Sequence, residues 1–154
     1  MRIRLYSPAD WKRLCEIHDA ARKHELEASG LVEAFLTLEQ SAKSEGLFEA
    51  EILVAEDGNA VKGFAAYTEE ELTWLYVDPR YYRQGIGRHL VRAVVKASPN
   101  PLSLDVLVGN EAALSLYLSE GFSVIKQVSG KLAGNVKFPA SAHVLRFNGF
   151  NGAA

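Results

Sequence analysis

The sequence predicts an α/β (α+β) fold in which one mixed, mostly antiparallel sheet is flanked by helices. The chain has 154 residues, 48% of them hydrophobic and 23% charged, which is typical of one globular domain. Alternating apolar patterns typical of strands are separated by amphipathic helical patterns. Because no repeat or low-complexity linker interrupts them, we expect a single domain over residues 1–149 and a frayed tail at 150–154.

The first quarter of the chain predicts one strand and two helices. Residues 2–6 alternate as a strand does, and Ser7-Pro8-Ala9-Asp10 carries the cap, proline and carboxylate of a helix start. Apolar residues at three- and four-residue steps predict a helix from there to about His24. A second helix, ending before Gly46, is predicted from Val32, Phe35, Leu36 and Leu38.

The remainder predicts six strands and two helices. The strands are expected at 52–55, 61–67, 72–77, 102–108, 123–128 and 142–147, and the helices at 85–97 and 110–120. The order is therefore β-α-α-β-β-β-α-β-α-β-β. The early strands should be antiparallel neighbours, and the later strand–helix–strand unit should pair in parallel. Residues 129–141 read as a long connection that matches no motif.

Charge is distributed unevenly along the chain. Residues 24–51 carry seven acids and one lysine, whereas residues 78–96 carry five bases and one acid. A molecule with two such poles can handle a cationic and an anionic ligand together, and the alternative is two solvated helix faces. The net charge of -2 argues against a general nucleic-acid binder.

Two further features bear on location. No apolar run approaches the ~20 residues that span a bilayer, so we expect no membrane association. The single Cys15 excludes an intramolecular disulfide and favours a cytoplasmic location.

The four histidines are scattered and have no metal-ligand spacing, so no metal is expected.

A glycine turn lies between a predicted strand and a predicted helix, in Tyr82-Arg83-Gln84-Gly85-Ile86-Gly87-Arg88. Glycines let the backbone approach a ligand closely, and a helix N-terminus offers N–H groups and a positive partial charge to phosphate. The P-loop pattern is excluded because no Gly-Lys-Ser/Thr follows, and the dinucleotide fingerprint is excluded because Leu90 replaces its third glycine. A second motif covers residues 110–122, where Asn110 caps a helix and Gly121 ends it.

Together these residues resemble the GCN5-related N-acetyltransferase (GNAT) family, whose members use acetyl-CoA. The resemblance covers 72–122: the strand ending Leu75-Tyr76-Val77-Asp78-Pro79, the turn Gln84-Gly85-Ile86-Gly87, and Asn-x-x-Ala-x-x-Leu-Tyr-x-x-x-Gly-Phe at 110–122. It implies a GNAT-like fold and direct transfer of an acetyl group to a primary amine in a ternary complex. One position departs from the family pattern, since Tyr82 stands where Gln or Arg is usual.

The resemblance also implies a site. The turn would bind the CoA pyrophosphate through backbone N–H groups, and the strand would splay from its neighbour, hold pantetheine and polarise the thioester carbonyl. Asn110 and Tyr117 would lie along the CoA arm near the sulfur. The implied cofactor-binding residues are Leu75, Tyr76, Val77, Arg83, Gln84, Gly85, Ile86, Gly87, Arg88, Asn110 and Tyr117.

Two residues are candidates for proton transfer. An amine of pKa ~10.4 is charged at neutral pH and must lose a proton before it attacks, and Glu71 is the candidate base because the family draws its base from this strand. Alternation would place Glu71 on the same side of the strand as Leu75. The alternative for Glu71 is a solvated acidic turn with Glu69 and Glu70. Tyr117 is the candidate acid toward the CoA thiolate.

The identity of the acceptor is open at this level. The acidic segment favours a cationic amine, which could be a polyamine-like amine, a sugar amine, or the lysine or N-terminus of a protein. A different class of function also stays open, namely a non-catalytic acyl-CoA sensor or interaction domain. The apolar C-terminal strand suggests a homodimer formed by pairing with a partner's edge.

Overall fold

The computed structural model describes residues 1–132 and 135–149, so the tail predicted to fray at 150–154 lies outside the described residues. Its strands are β1 (Arg2–Leu5), β2 (Glu51–Asp57), β3 (Ala60–Tyr67), β4 (Leu72–Val77), β5 (Ser103–Leu107), β6 (Phe122–Leu132) and β7 (Asn135–Phe147). Its α-helices are α1 (Trp11–Ala28), α2 (Leu38–Ser41), α3 (Ile86–Ala97) and α4 (Glu111–Ser119). The predicted order of strands and major helices is therefore confirmed.

Two antiparallel sheets meet side by side. One has the strand order β1-β2-β3-β4 and the other the order β5-β7-β6. They join through a single parallel bridge between Glu71 and Ser103, where the Ser103 N–H donates to the Glu70 carbonyl at 2.9 Å. The mixed, mostly antiparallel sheet is confirmed, and its parallel component is confined to this bridge within the described residues.

The last strand does not lie where chain order would place it. β7 runs between β5 and β6 and pairs antiparallel with both, so β5 and β6 are not neighbours although α4 connects them. Parallel pairing of this later strand–helix–strand unit is therefore wrong. Local patterns identify strands but do not specify which partner fills the gap between them.

Helices cover both faces of the first sheet. On one face α3 buries an apolar stripe, including Leu90, Val91 and Val94, against β3 and β4. On the other face α1 buries Leu14 and Ile17 against a cluster that contains Phe64 and Trp74. These two cores fix the first sheet rigidly between α1 and α3.

The second predicted helix is wrong as a continuous element. Residues 32–49 instead form a 3-10 turn, the one-turn α2 and another 3-10 turn. Their apolar side chains serve different clusters, because Ala34 packs with Leu26 whereas Leu38 packs with Leu14. The chain must bend between those positions, so a single straight helix could not bury both.

The connection predicted at 129–141 is also wrong, because its described residues, 129–132 and 135–141, belong to strands. β6 and β7 continue as a hairpin through the pairs Ser129–Ser141, Gly130–Ala140 and Lys131–Pro139. Glycine and proline weaken a strand pattern in the sequence, but the ladder here is maintained by the partner strand. The hairpin therefore extends one wall of the cleft described next.

Candidate active site

β4 carries a bulge close to the junction between the two sheets. Opposite β3, Tyr67 pairs with Leu72 and Ala66 pairs with Trp74, so Thr73 is an extra residue in β4. Its hydroxyl donates to the Ala66 carbonyl at 3.1 Å. Past the Glu71–Ser103 bridge, no further pairing joins β4 to β5 in the described chain, and a cleft of about 1320 Å³ begins there.

The bulge also changes which side chains share a face. Leu72 packs in the same cluster as Leu75 and Val77, against α3. Since neighbouring strand residues face opposite ways, Glu71 lies on the face of Trp74 and Tyr76 rather than that of Leu75. The predicted shared side of Glu71 and Leu75 is thus wrong, because simple alternation does not allow for an extra residue. Glu71 is exposed and lines the cleft.

The glycine turn forms the end of the cleft beyond β4. Gly85 has a φ of +81° and is the N-cap of α3, a left-handed conformation that costs glycine little. Arg83 also has a positive φ, of 64°. The first N–H groups of α3 have no acceptor within the helix and carry its positive partial charge. This end of the cleft is suited to an anion.

The buried carboxylate of Asp78 stabilises the segment that leads into the glycine turn. Asp78 accepts a hydrogen bond from the Arg80 backbone N–H at 3.0 Å and ion-pairs with Arg80 at 2.9 Å and Arg13 at 2.5 Å. The Arg80 and Arg13 guanidinium groups hold the pKa of Asp78 well below its usual range. The position of the turn is therefore tied electrostatically to α1.

The Arg88 side chain pairs with a carboxylate of the protein, although its position at the glycine turn suggests contact with a ligand. Its guanidinium ion-pairs with the buried carboxylate of Glu120, which Arg92 also contacts at 2.5 Å. A buried carboxylate is costly without such partners, so this pairing is structural. Part of the basic pole seen in the sequence is thereby neutralised within the fold.

Tyr117 and Asn110 reach the cleft from α4. Asn110 caps the helix, since its side-chain oxygen accepts from the Ala113 N–H at 3.3 Å, as predicted. Tyr117 is buried with its ring edge-on to Phe122, at a centroid distance of 5.6 Å. Burial raises the pKa of Tyr117, and the nearby charge of Glu25 raises it further. The phenol therefore remains protonated over an unusually wide pH range.

A carboxylate from α1 completes the centre of the cleft, and the sequence analysis did not single it out. Glu25 accepts from the Tyr76 hydroxyl at 3.0 Å and from the Asn110 amide at 3.5 Å, and it ion-pairs with Arg22. Burial and the charge of Glu25 raise the pKa of Tyr76. The only sequence signal was the acidic segment as a whole, in which Glu25 is one of seven acids.

The structure brings nearly all the candidate residues to one cavity. The exception is Gln84, which is not among the lining residues. No group of three His, Cys, Asp or Glu side chains within residues 1–132 and 135–149 could hold a metal ion. No helix of this described part is long and apolar enough to cross a membrane. The candidate residues that line the cleft are Glu71, Leu75, Tyr76, Val77, Arg83, Gly85, Ile86, Gly87, Arg88, Asn110 and Tyr117.

Comparison with known proteins decides the family. Residues 48–124, which is half of the chain, match the model of the acetyltransferase (GNAT) domain. The chain belongs to the GNAT family. The matched part of this GNAT domain runs from β2 through α4 and so includes the bulge, the glycine turn and Tyr117. The chain is accordingly an N-acetyltransferase.

Individual relatives agree with this assignment. The uncharacterised N-acetyltransferase YafP of Escherichia coli is 27% identical over 130 residues, covering 82% of this chain and 84% of that protein. The ribosomal protein bS18 alanine N-acetyltransferase of Escherichia coli is 42% identical over 59 residues, covering 36% and 40% respectively.

The fold is found in solved structures as well. The putative acetyltransferase yncA of Salmonella typhimurium, solved with its cofactor acetyl-CoA, superposes with a TM-score of 0.71 at 19% identity. The match covers 100% of this chain and 96% of that one.

Proposed function

We propose that this protein transfers the acetyl group of acetyl-CoA to a primary amine by direct attack within a ternary complex. The observation that carries the proposal is the single cleft that contains both the glycine turn, suited to a pyrophosphate, and the Tyr117 phenol. That cleft opens where β4 separates from β5, so backbone groups of β4 are free to bind a ligand. The acetyl-CoA bound by the yncA structure supports this co-substrate.

The proposed placement of acetyl-CoA follows the family resemblance of the residues that line the cleft. Backbone N–H groups of residues 84–88 bind the pyrophosphate, and the Arg83 side chain adds charge there. Leu75, Tyr76 and Val77 offer backbone groups to pantetheine and polarise the thioester carbonyl. Asn110 and Tyr117 lie beside the arm near the sulfur. Arg88 contributes its backbone, because its side chain pairs with Glu120.

The reaction requires three proton transfers, because the acceptor nitrogen loses two protons and the CoA sulfur gains one. The acceptor ammonium gives one proton to a base, for which we propose Glu71, and the neutral nitrogen then attacks the thioester carbon. When the carbon–sulfur bond breaks, the CoA sulfur leaves with the electron pair and takes a proton from the Tyr117 hydroxyl. After the carbon–nitrogen bond forms, the nitrogen carries a positive charge and gives its second proton to solvent as the amide is produced. Glu71 passes the first proton to solvent, and solvent restores the Tyr117 proton. Glu71→Gln is expected to lower kcat more than it changes the KM for the amine.

The setting of the reaction is part of the proposal. A cytoplasmic location agrees with the single cysteine.

The expected homodimer would need a free strand edge, and residues 142–146 of β7 are paired on both sides, with β5 and with β6. A partner strand would therefore add at the outer edge of β6 or beside residues 135–141.

The deciding experiment measures CoA thiol release from acetyl-CoA in the presence of polyamines, amino sugars, aminoglycosides, amino acids and peptides. Hydrolysis without amine is subtracted. We expect release with one class of primary amine. A second candidate function, an acyl-CoA sensor, would be favoured if acetyl-CoA binds in a titration but no amine promotes release. Failure to bind acetyl-CoA would exclude both.

A further inference from the structure

We infer that Glu25 is the residue that binds the ammonium group of the acceptor amine in the cleft. This assignment rests on the proposed function, because it names a specificity-determining residue for that reaction. It concerns acceptor binding and leaves the proton-accepting role with Glu71. Neither the family motif nor the sequence pattern identifies this residue.

The Glu25 carboxylate lies where the two proposed substrates would meet. Glu25 reaches across the cleft from α1 and contacts both sides of the predicted thioester position, through the Tyr76 hydroxyl on β4 and the Asn110 amide at the start of α4. Its charge also influences the buried phenol of Tyr117. The carboxylate is therefore close to the groups proposed to hold the thioester and protonate the sulfur.

The Glu25 carboxylate also has unused hydrogen-bonding capacity. A carboxylate offers about four lone-pair positions. Oε1 is well occupied, because it accepts from both Tyr76 and Arg22. Within the described residues, Oε2 accepts only the long contact of 3.5 Å from Asn110, and 23% of the side chain is exposed. Oε2 thus has room for a strong donor from the cleft.

The negative charge of Glu25 is suited to a cationic acceptor. Acetyl-CoA is anionic, so the acceptor ammonium is the cationic partner in the proposed reaction. Of the charged groups in electrostatic contact with Glu25, Arg22 is the cation and Glu45 is a second carboxylate. Burial raises the pKa of Glu45, Arg22 partly compensates, and the charge of Glu25 raises this pKa further. Glu25 also interacts electrostatically with His18, Tyr76, Tyr82 and Tyr117.

The test uses the two tryptophans as reporters. Trp74 lines the cleft, whereas Trp11 packs against Phe48 outside it. Butylammonium chloride, or the neutral analogue 1-butanol, is titrated into the protein with CoA present, and the two indole N–H signals are followed by NMR. We expect butylammonium to shift Trp74 but not Trp11, and to bind more tightly than 1-butanol.

Three variants make the assignment specific. Glu25→Gln is expected to weaken butylammonium binding on the order of 10- to 100-fold and to remove the preference over 1-butanol. Glu27→Gln, on the same helix but exposed, should bind like wild type. Glu25→Asp keeps the charge and should keep the preference. CoA binding, titrated in every variant, verifies that the cleft is folded.

The outcomes separate this inference from the proposed function. Equal butylammonium binding by wild type and Glu25→Gln, including no detectable binding by either, overturns the assignment. Loss of the preference in Glu25→Asp as well would also overturn it, because the effect would then come from a disturbed cleft. Glu25-dependent binding of butylammonium without CoA release by any amine would support the ammonium site and contradict only the proposed acetyl transfer.

Discussion

At the scale of single residues, Tyr117 is the group whose environment best matches a chemical role. It is buried on a helix that lines the cleft, and its pKa is raised by burial and by Glu25. A raised pKa keeps a phenol protonated to higher pH but makes it a weaker acid, so proton transfer to a departing thiolate depends on direct contact between the two groups. We therefore expect no loss of turnover from ionisation of this residue between pH 8 and pH 10.

Tyr117→Phe tests that role directly. The variant keeps the ring that packs against Phe122 but removes the proton donor. We expect kcat for CoA release to fall about 100-fold or more, the range for general acid catalysis, while the Kd for acetyl-CoA changes little. Tyr6→Phe, whose ring lies near Phe48 outside the cleft, is the matched control and should keep full activity. Unchanged turnover in Tyr117→Phe would remove Tyr117 from the mechanism.

At the scale of elements, Gly109 fixes how α1 meets α4. Its φ is +104°, and a Cβ there would lie 2.6 Å from the Ala28 carbonyl oxygen at the end of α1. Gly30 also has a positive φ, of +70°, but a Cβ there would meet nothing within 4 Å. The two glycines thus separate backbone strain from steric clash.

Gly109→Ala is expected to destabilise the protein more than Gly30→Ala. Both variants incur the left-handed cost of about 1–2 kcal/mol, and only Gly109→Ala must also displace backbone. It should shift Asn110 away from Glu25 and so weaken acetyl-CoA binding, whereas Gly30→Ala should not. Urea unfolding and acetyl-CoA titration measure the two effects. Equal unfolding midpoints for the two variants would contradict the proposed close packing.

Elements also show why prediction succeeded in some places and failed in others. Caps and amphipathic stripes are local signals, so the start of α4 at Asn110 and the buried face of α3 could be predicted. The Thr73 bulge could not, because it exists only relative to β3. Glu25 was missed for a similar reason: its partners Tyr76 and Asn110 are 51 and 85 residues away along the chain.

At the scale of the whole molecule, charges of opposite sign are paired across the fold. Arg4 bridges β1 to the start of the first helical segment through Asp10, at 2.9 Å, and to β2 through Glu56, at 2.8 Å. Asp78 and Glu120 make corresponding pairs around the glycine turn and α3. Within the described fold the basic pole is used more than the acidic one, because Arg80, Arg88 and Arg92 are ion-paired, whereas the acidic pole contributes Glu25 to such pairs.

These pairs make stability depend on pH in acid. Hydrogen bonds from Arg4 and Arg80 hold the pKa values of Asp10 and Asp78 below their usual range. A depressed pKa contributes stability above the unfolded value of about 3.9 and loses it as pH falls toward the folded value. Glu45 acts in the opposite sense, since burial raises its pKa, but the pKa values of Glu56 and Asp57 are lowered as well, by hydrogen bonds from Arg4 and Lys62.

We therefore expect the free energy of unfolding to decrease from pH 5.5 to pH 3.5, measured as the urea midpoint. Asp10→Asn should be less stable than wild type at pH 5.5, by about 1–3 kcal/mol, because Arg4 loses a charged partner. It should also lose less stability than wild type between the two pH values, since one of the titrating groups is gone. A wild-type midpoint that stays constant, or an Asp10→Asn variant with the full wild-type decrease, would show that these carboxylates do not control the acid limb.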